Sequence, residues 1–211
     1  MSGSTAHVRW CVVPLHTPRV PRHCPGCENR RLYYSSDKFR VNAHQRKVDV
    51  WLIYRCEHCD NSLNVTIIER TNVKHIDREL LQAYMGNDTA VAWRHAFDRD
   101  TLKRHGVLAE ADVEWRLDVE PWPSPEPEET VVDVHMDYPV NVRVDRLLAA
   151  GLGLARGRVA DLLRSGRIRL EPVTLSKASR RANTSFRVYV AAGVVRSAGG
   201  AESPASAPPA D

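Results

Sequence analysis

The chain has 211 residues, 43% of them hydrophobic and 27% charged, with a formal net charge of +4; this reads as a globular, soluble protein with one ordinary domain or two small ones. No apolar stretch approaches the length of a membrane span. The first residues, "MSGSTAHVRWCVVPLHTPRVP", lack the basic start, apolar core and small-residue cleavage site of a signal peptide, so a cytoplasmic location with reduced thiols and no membrane partner is expected.

In chain order the first signal is "CPGC", with Cys24 and Cys27. "DKFRVNA" and "VDVWLIYRC" follow, two runs rich in β-branched and aromatic residues separated by the polar "HQRK", and they predict a hairpin. That hairpin would return "CEHC", with Cys56 and Cys59, beside the first pair although 28 residues intervene. Two Cys-x-x-Cys pairs supply four thiolates, the tetrahedral set that structural zinc prefers. Gly26 suits a turn beneath the sulfurs, and Asp60 and Asn61 tolerate the left-handed conformation that follows such a knuckle. A redox dithiol needs only one pair, and a reducing compartment disfavours disulfides. Iron in a rubredoxin-like tetrathiolate is the competing metal. Four thiolates close the shell and leave no position for substrate, so the expected cofactor is structural Zn2+. His23 and His58 are expected outside the ligand set, and Cys11 as a small buried hydrophobe.

"SLNVTIIER" is a third predicted strand. The period then changes: "IDRELLQAYM" sets Ile76, Leu80, Leu81 and Tyr84 on one helical face. A second helix begins after Asn87 or Asp88 as N-cap and is anchored by Val91, Trp93 and Phe97. A short third helix ends at Gly106, and "DVEWRLDVE" is a strand. The stretches "SSDKFRVNA", "VDVWLIYRCEHCD" and "NVTIIER" resemble the bacterial family called domain of unknown function 1062, over roughly residues 8 to 190. The resemblance implies no activity. Phe39, Arg40 and Asn42 within it read either as a surface motif or as a strand packed on the knuckles.

From Asp118 to Asp137 there are seven acidic residues and no lysine or arginine, and "EPWPSPEPEE" reads as an extended, semi-rigid linker. Between Arg143 and Arg187 eleven basic residues face only Asp145, Asp161 and Glu171, a footprint suited to a polyanion. "VRVDRLLAAGLGLARGRVADLLRSGRIRL" is similar to the alpha-L RNA-binding motif of a ribosomal small-subunit protein, through Arg143, Asp145, Arg146 and Leu148, then Arg156, Leu162, Leu163 and Gly166, then Ile168 and Leu170. The resemblance implies two short helices that present arginines to the phosphates of structured RNA, here Arg143, Arg146, Arg156, Arg158, Arg164 and Arg167. Two arginines at a helix start cost about 0.3–1 kcal/mol each against the dipole, which a phosphate bound there would reverse. The sequence departs from the motif at Ala155, at Glu171–Pro172 and in "RRANTSFRVYV".

The predicted architecture is α+β. It comprises a zinc-ribbon-like β domain over 8–72, a helical segment with a closing strand over 73–117, an acidic Pro-rich linker over 118–130, an alpha-L-motif-like RNA-binding domain over 131–192 and a disordered tail over 193–211. No P-loop, nucleophile elbow or metalloprotease motif is present. Gly151 and Gly153 read as the gap between two helices, His44, His75, His95, His105 and His135 are scattered, and Asp98 and Asp100 read as helix caps. The expected function is therefore non-enzymatic binding of structured RNA, ribosomal or transfer RNA being examples, with no small-molecule substrate. The alternative is an adaptor whose zinc ribbon and basic face dock protein partners.

Overall fold

The computed structural model describes residues 4–104, 112–175 and 180–195. The chain divides into two compact units, one of His16–Ala111 and one assembled from Met1–Leu15 and Asp112–Asp211. Among the described residues no helix is long and apolar enough to cross a membrane.

Strand β1 (Thr5–Pro14) opens the chain and belongs to the second unit. The unit of residues 16–111 is built on an antiparallel sheet of β2 (Val20–Cys24), β3 (Asn29–His44), β4 (Lys47–Cys56) and β5 (Ser62–Asn72), in that spatial order. The period-2 pattern of β4 explains its two faces: Val48, Val50, Leu52, Tyr54 and Cys56 are buried, while Asp49, Trp51, Ile53 and Arg55 alternate between them. The predicted hairpin is present, with His44 opposite Lys47 and Gln45 at φ 56° in the turn. It is longer than predicted, because β3 starts at Asn29 and continues through an irregularity between Ser35 and Lys38 where Asp37 takes φ 56°.

Helices α1 (Arg78–Gly86), α2 (Thr89–Phe97) and α3 (Arg99–Arg104) follow. Each begins behind an aspartate: Asp77 accepts the Leu80 N–H (2.9 Å), Asp88 that of Val91 (2.9 Å) and Asp98 that of Thr101 (3.0 Å). Such caps contribute about 1 kcal/mol apiece. The Phe39 ring meets Tyr84 edge-on at 4.9 Å, so Phe39 is core beneath α1. Asn87, left-handed at the end of α1, also accepts the Phe39 N–H at 2.7 Å and pins the helix corner to β3. Gly106, the predicted helix stop, lies outside the described residues.

The second unit contains β6 (Trp115–Val119), β7 (Glu129–His135), β8 (Val142–Arg143), α4 (Val144–Leu152), α5 (Arg156–Arg164), β9 (Ile168–Glu171), β10 (Arg181–Ala182) and β11 (Phe186–Ala191). Its five-stranded sheet runs β6-β1-β7-β11-β9, with β1 parallel to β7 and the other neighbours antiparallel; β8 and β10 form a separate short ladder. One sheet face supplies Trp10, Val132, Val188 and Ile168 to a core completed by Leu147, Leu148, Val159 and Leu162.

This arrangement departs from the predicted boundaries. β1 was not among the predicted strands, yet Val8, Trp10 and Val12 alternate as buried residues and it pairs with both β6 and β7. The strand expected to close the helical segment, β6, therefore lies in the sheet of the other unit. The expected linker ends in β6 and β7, and the span between is fixed: Glu120 accepts the Arg9 N–H at 2.6 Å and Glu126 the Gly193 N–H at 3.0 Å. It joins two strands of one unit instead of tethering domains. Gly151 lies within α4, and only Gly153, left-handed at φ 64°, ends the helix. Of the expected tail, residues 196–211 lie outside the described residues.

Candidate functional site

The four cysteines stand at one end of the β2–β5 sheet. Cys24 is the last residue of β2 and Cys56 the last of β4, so the β3–β4 hairpin brings the two knuckles together, with Tyr33 opposite Cys56 in register. Each knuckle is turned by its own backbone: the Cys27 N–H donates to the Cys24 carbonyl (3.2 Å) and the Asp60 N–H to that of Cys56 (3.1 Å). Glu28 and Asp60, which follow the second cysteine of each pair, are left-handed at φ 50° and 57°. The sequence pointed to Asp60 and gave no sign of Glu28. A Cβ on Gly26 would stand 3.2 Å from the Cys59 sulfur, so the glycine admits the sulfur to the turn.

All four sulfurs lie within 4.8 Å of one another, with Cys24 to Cys59 at 3.4 Å and Cys27 to Cys56 at 3.9 Å. Disulfide sulfurs are about 2.05 Å apart, and all four cysteines are free. Around an ion with metal–sulfur bonds of about 2.3 Å, the edge of a regular tetrahedron is about 3.8 Å. The cluster is thus compatible with a metal ion. His23 and His58 are exposed beside it and outside the ligand set. Cys11 is half-buried on β1 instead of in a core, opposite Asp118 and His135 in register.

Electrostatics favour a cation at this point. Tyr33 hydrogen-bonds the Cys24 sulfur, which outweighs burial and lowers that thiol to about 6. The Cys27 thiol is raised by burial. At Cys59 the Asn61 backbone N–H favours the thiolate, but the crowded sulfurs of Cys27 and Cys24 push the thiol up to about 12. Four sulfurs this close ionise together only around positive charge. Tyr33, which sequence reasoning did not single out, comes opposite Cys56 only through the register shift between Ser35 and Lys38, for which the sequence carries no signal.

The six predicted arginines fall around α4 and α5 with different partners. Asp145, whose side chain is 8% exposed, accepts two hydrogen bonds from Arg143 (3.1 and 3.0 Å) and two from Arg156 (3.1 and 2.7 Å). Arg146 lies over the Trp115 ring at 5.6 Å, Arg164 pairs with Asp161 at 2.7 Å and Arg167 donates to the Ala192 carbonyl at 2.6 Å. Arg158 is exposed, with no hydrogen-bond or ion-pair partner among the described residues. The six cations thus face two carboxylates. Helix α5 also lacks a side-chain cap: its N-cap is Ala155, and its first intrahelical bond runs from the Val159 N–H to the Ala155 carbonyl.

Burial alone would raise the Asp145 carboxyl, but the Arg143 and Arg156 guanidiniums hold it below the usual carboxylate range. A carboxylate so lowered stabilises the fold above its unfolded value, near pH 4, and the contribution is lost as the pH falls through the lowered folded value. Asp145→Asn is expected to cost about 2 kcal/mol at pH 7, moderated because both arginines are half exposed. Urea melts at pH 7 and pH 3 check this: the gap between wild type and variant should narrow at the acid end, and a gap that is equal at both would overturn it.

Residues 41–173 match the model of a protein family described as protein of unknown function (DUF1062). The match takes in Cys56, Cys59 and both arginine-bearing helices; Cys24 and Cys27 precede it. No curated protein and no solved structure matches the chain.

Proposed function

The chain belongs to the DUF1062 family, and we propose that it is a zinc-stabilised, non-enzymatic protein that grips structured RNA through the arginines around α4 and α5. The donor set supports zinc: four thiolates with sulfur separations near a tetrahedral edge, and a closed shell that makes the ion structural. The observation that carries the RNA reading is the start of α5. An uncapped helix terminus with free first-turn amides meets the unpartnered Arg158 and the Asp145-held pair of Arg156 and Arg143. Amides and guanidiniums there converge on one kind of ligand, a phosphate. The order helix–helix–strand from α4 to β9 is also the order that the alpha-L motif implies.

Asp145 refines the roles. Arg156 and Arg143 are oriented by a buried carboxylate and so form a fixed fork, whereas Arg158 is free to reach a phosphate. The informative variant is therefore Arg158→Glu, which leaves the Asp145 cluster intact. Titrating a fluorescent hairpin RNA into the purified protein at 50 and 200 mM salt should give steeply salt-dependent binding. The variant is expected to bind at least tenfold more weakly at low salt, with a slope shallower by about 1. Unchanged binding by the variant, or no hairpin binding by wild type at low salt, sinks the RNA reading; the latter result assigns the basic face to an acidic protein partner.

A further inference from the structure

The sheet of residues 16–111 has a second face that the metal centre does not use. Helices α1 and α2 cover one side of β3, where Phe39 lies against Tyr84. On the other side, cross-strand register sets three rows of side chains over β3, β4 and β5: Tyr34–Arg55–Ser62, Lys38–Ile53–Asn64 and Arg40–Trp51–Thr66. Tyr34 is 38% exposed, and Lys38, Arg40, Arg55, Ser62 and Asn64 are exposed. Arg40 reaches over the Trp51 ring at 6.0 Å. Lys38 and Arg40 have no acidic partner among the described residues, and Arg55 donates to the Asp60 carbonyl and retains its charge. Of the acidic groups beside the rows, Asp49 accepts the Arg70 N–H, Asp60 accepts the Tyr34 hydroxyl and Glu57 pairs with Arg19.

We propose that this face binds an unpaired RNA strand, with bases stacked on Trp51 and Tyr34 and phosphates drawn to Lys38, Arg40 and Arg55. The two aromatic rows lie about 13 Å apart along the strands, at about 3.3 Å per residue. The cationic row of Lys38 sits between them. Aromatic rings interleaved with cations on an open sheet are the arrangement that holds single strands without reading a duplex groove. Ser62, Asn64 and Thr66 add hydroxyl and amide groups within reach of a ribose 2′-hydroxyl, which favours RNA over DNA. A protein partner docking on such a face would need a larger apolar centre than Trp51 and Ile53 supply. The surface is independent of the α5 arginines: one takes bases, the other the phosphates of folded RNA.

Fluorescence anisotropy of a 5′-labelled 12-nucleotide uridine oligomer with the full, zinc-loaded chain tests the proposal. Trp51→Ala should weaken binding roughly 5- to 100-fold, whereas Trp51→Phe keeps most of it. Lys38→Ala/Arg40→Ala, both exposed positions, should weaken it about tenfold and lower the salt slope by about 1.4; this variant decides the matter if Trp51→Ala fails to fold by circular dichroism and zinc content. Arg158→Glu should leave oligomer binding unchanged and reduce hairpin binding, so the two readings fail separately. Wild-type affinity in both Trp51→Ala and the double variant, or no oligomer binding at low salt, overturns the proposal. Equal or tighter binding of an oligodeoxythymidine of the same length overturns the assignment to RNA.

Discussion

Removing the proposed zinc with a strong chelator is expected to abolish the cooperative unfolding transition of the unit His16–Ala111. Apparent binding free energies of structural zinc at four-ligand sites are about 10–16 kcal/mol, whereas a whole domain is stable by only about 5–15 kcal/mol. The unit does have its own core, in which Val50, Leu52 and Tyr54 are fully buried. Cys24 and Cys56 belong to the same cluster at 0% exposure, so the cysteine end is continuous with the core. Without the ion, four crowded sulfurs must protonate and separate, and β2 and β4 lose their common anchor. Thermal melts monitored by circular dichroism, with metal content measured before and after chelation, provide the test. The expected result is one bound zinc per chain and a fall in Tm of at least 15 °C on chelation, with Cys56→Ser reproducing it. A chelated protein that melts where the loaded one does would leave the cysteine cluster without a structural role. Acid should mimic chelation, because every ligand must be deprotonated to bind and protons compete as the pH falls.

The elements whose signals are local were legible in the sequence. Asp88 and Asp98, among the residues read as caps, precede apolar periodicity and cap α2 and α3 as cap chemistry dictates, and Asp77, not singled out beforehand, caps α1 in the same way. The clustering of the four cysteines was legible because two Cys-x-x-Cys pairs joined by a hairpin have only one way to meet. Strand β1 was missed, and β6, though predicted as a strand, was assigned to the other unit, for a different reason. Among the described residues nothing near β1 in sequence pairs with it; its neighbours β6 and β7 lie more than a hundred residues away. The acidic span after β6 reads as linker by composition, whereas tertiary hydrogen bonds with Arg9, Ala192 and Gly193 hold it to the sheet. The arginine face was legible as charge but not as geometry. The sequence sets Arg156 and Arg158 side by side, and only the structure shows that the buried Asp145 holds Arg156 and not Arg158.

Gly151→Ala is expected to destabilise the second unit by about 2–4 kcal/mol, although helix propensity alone would favour the alanine by about 1 kcal/mol. A Cβ at this position would lie 2.3 Å from two atoms of the Trp10 indole and 2.7 Å from a third. Trp10 is 1% exposed and rigid, so it cannot swing aside as a long flexible chain would. The steric term is the larger, and Tm should fall by roughly 10 °C or more. Gly157→Ala is the matched control: it lies in α5 with no atom within 4 Å of the added Cβ, and it should be neutral or slightly stabilising. Trp10→Phe in the Gly151→Ala background removes part of the clash and should recover some of the loss. A Gly151→Ala protein as stable as wild type would mean that α4 and β1 do not approach so closely. The same contact bears on the proposed function. Helix α4 lies against β1 because Gly151 has no side chain, and α4 carries Asp145, which orients Arg143 and Arg156. Any α4 displacement large enough to relieve the clash should therefore weaken hairpin RNA binding as well, even in the fraction of Gly151→Ala protein that remains folded.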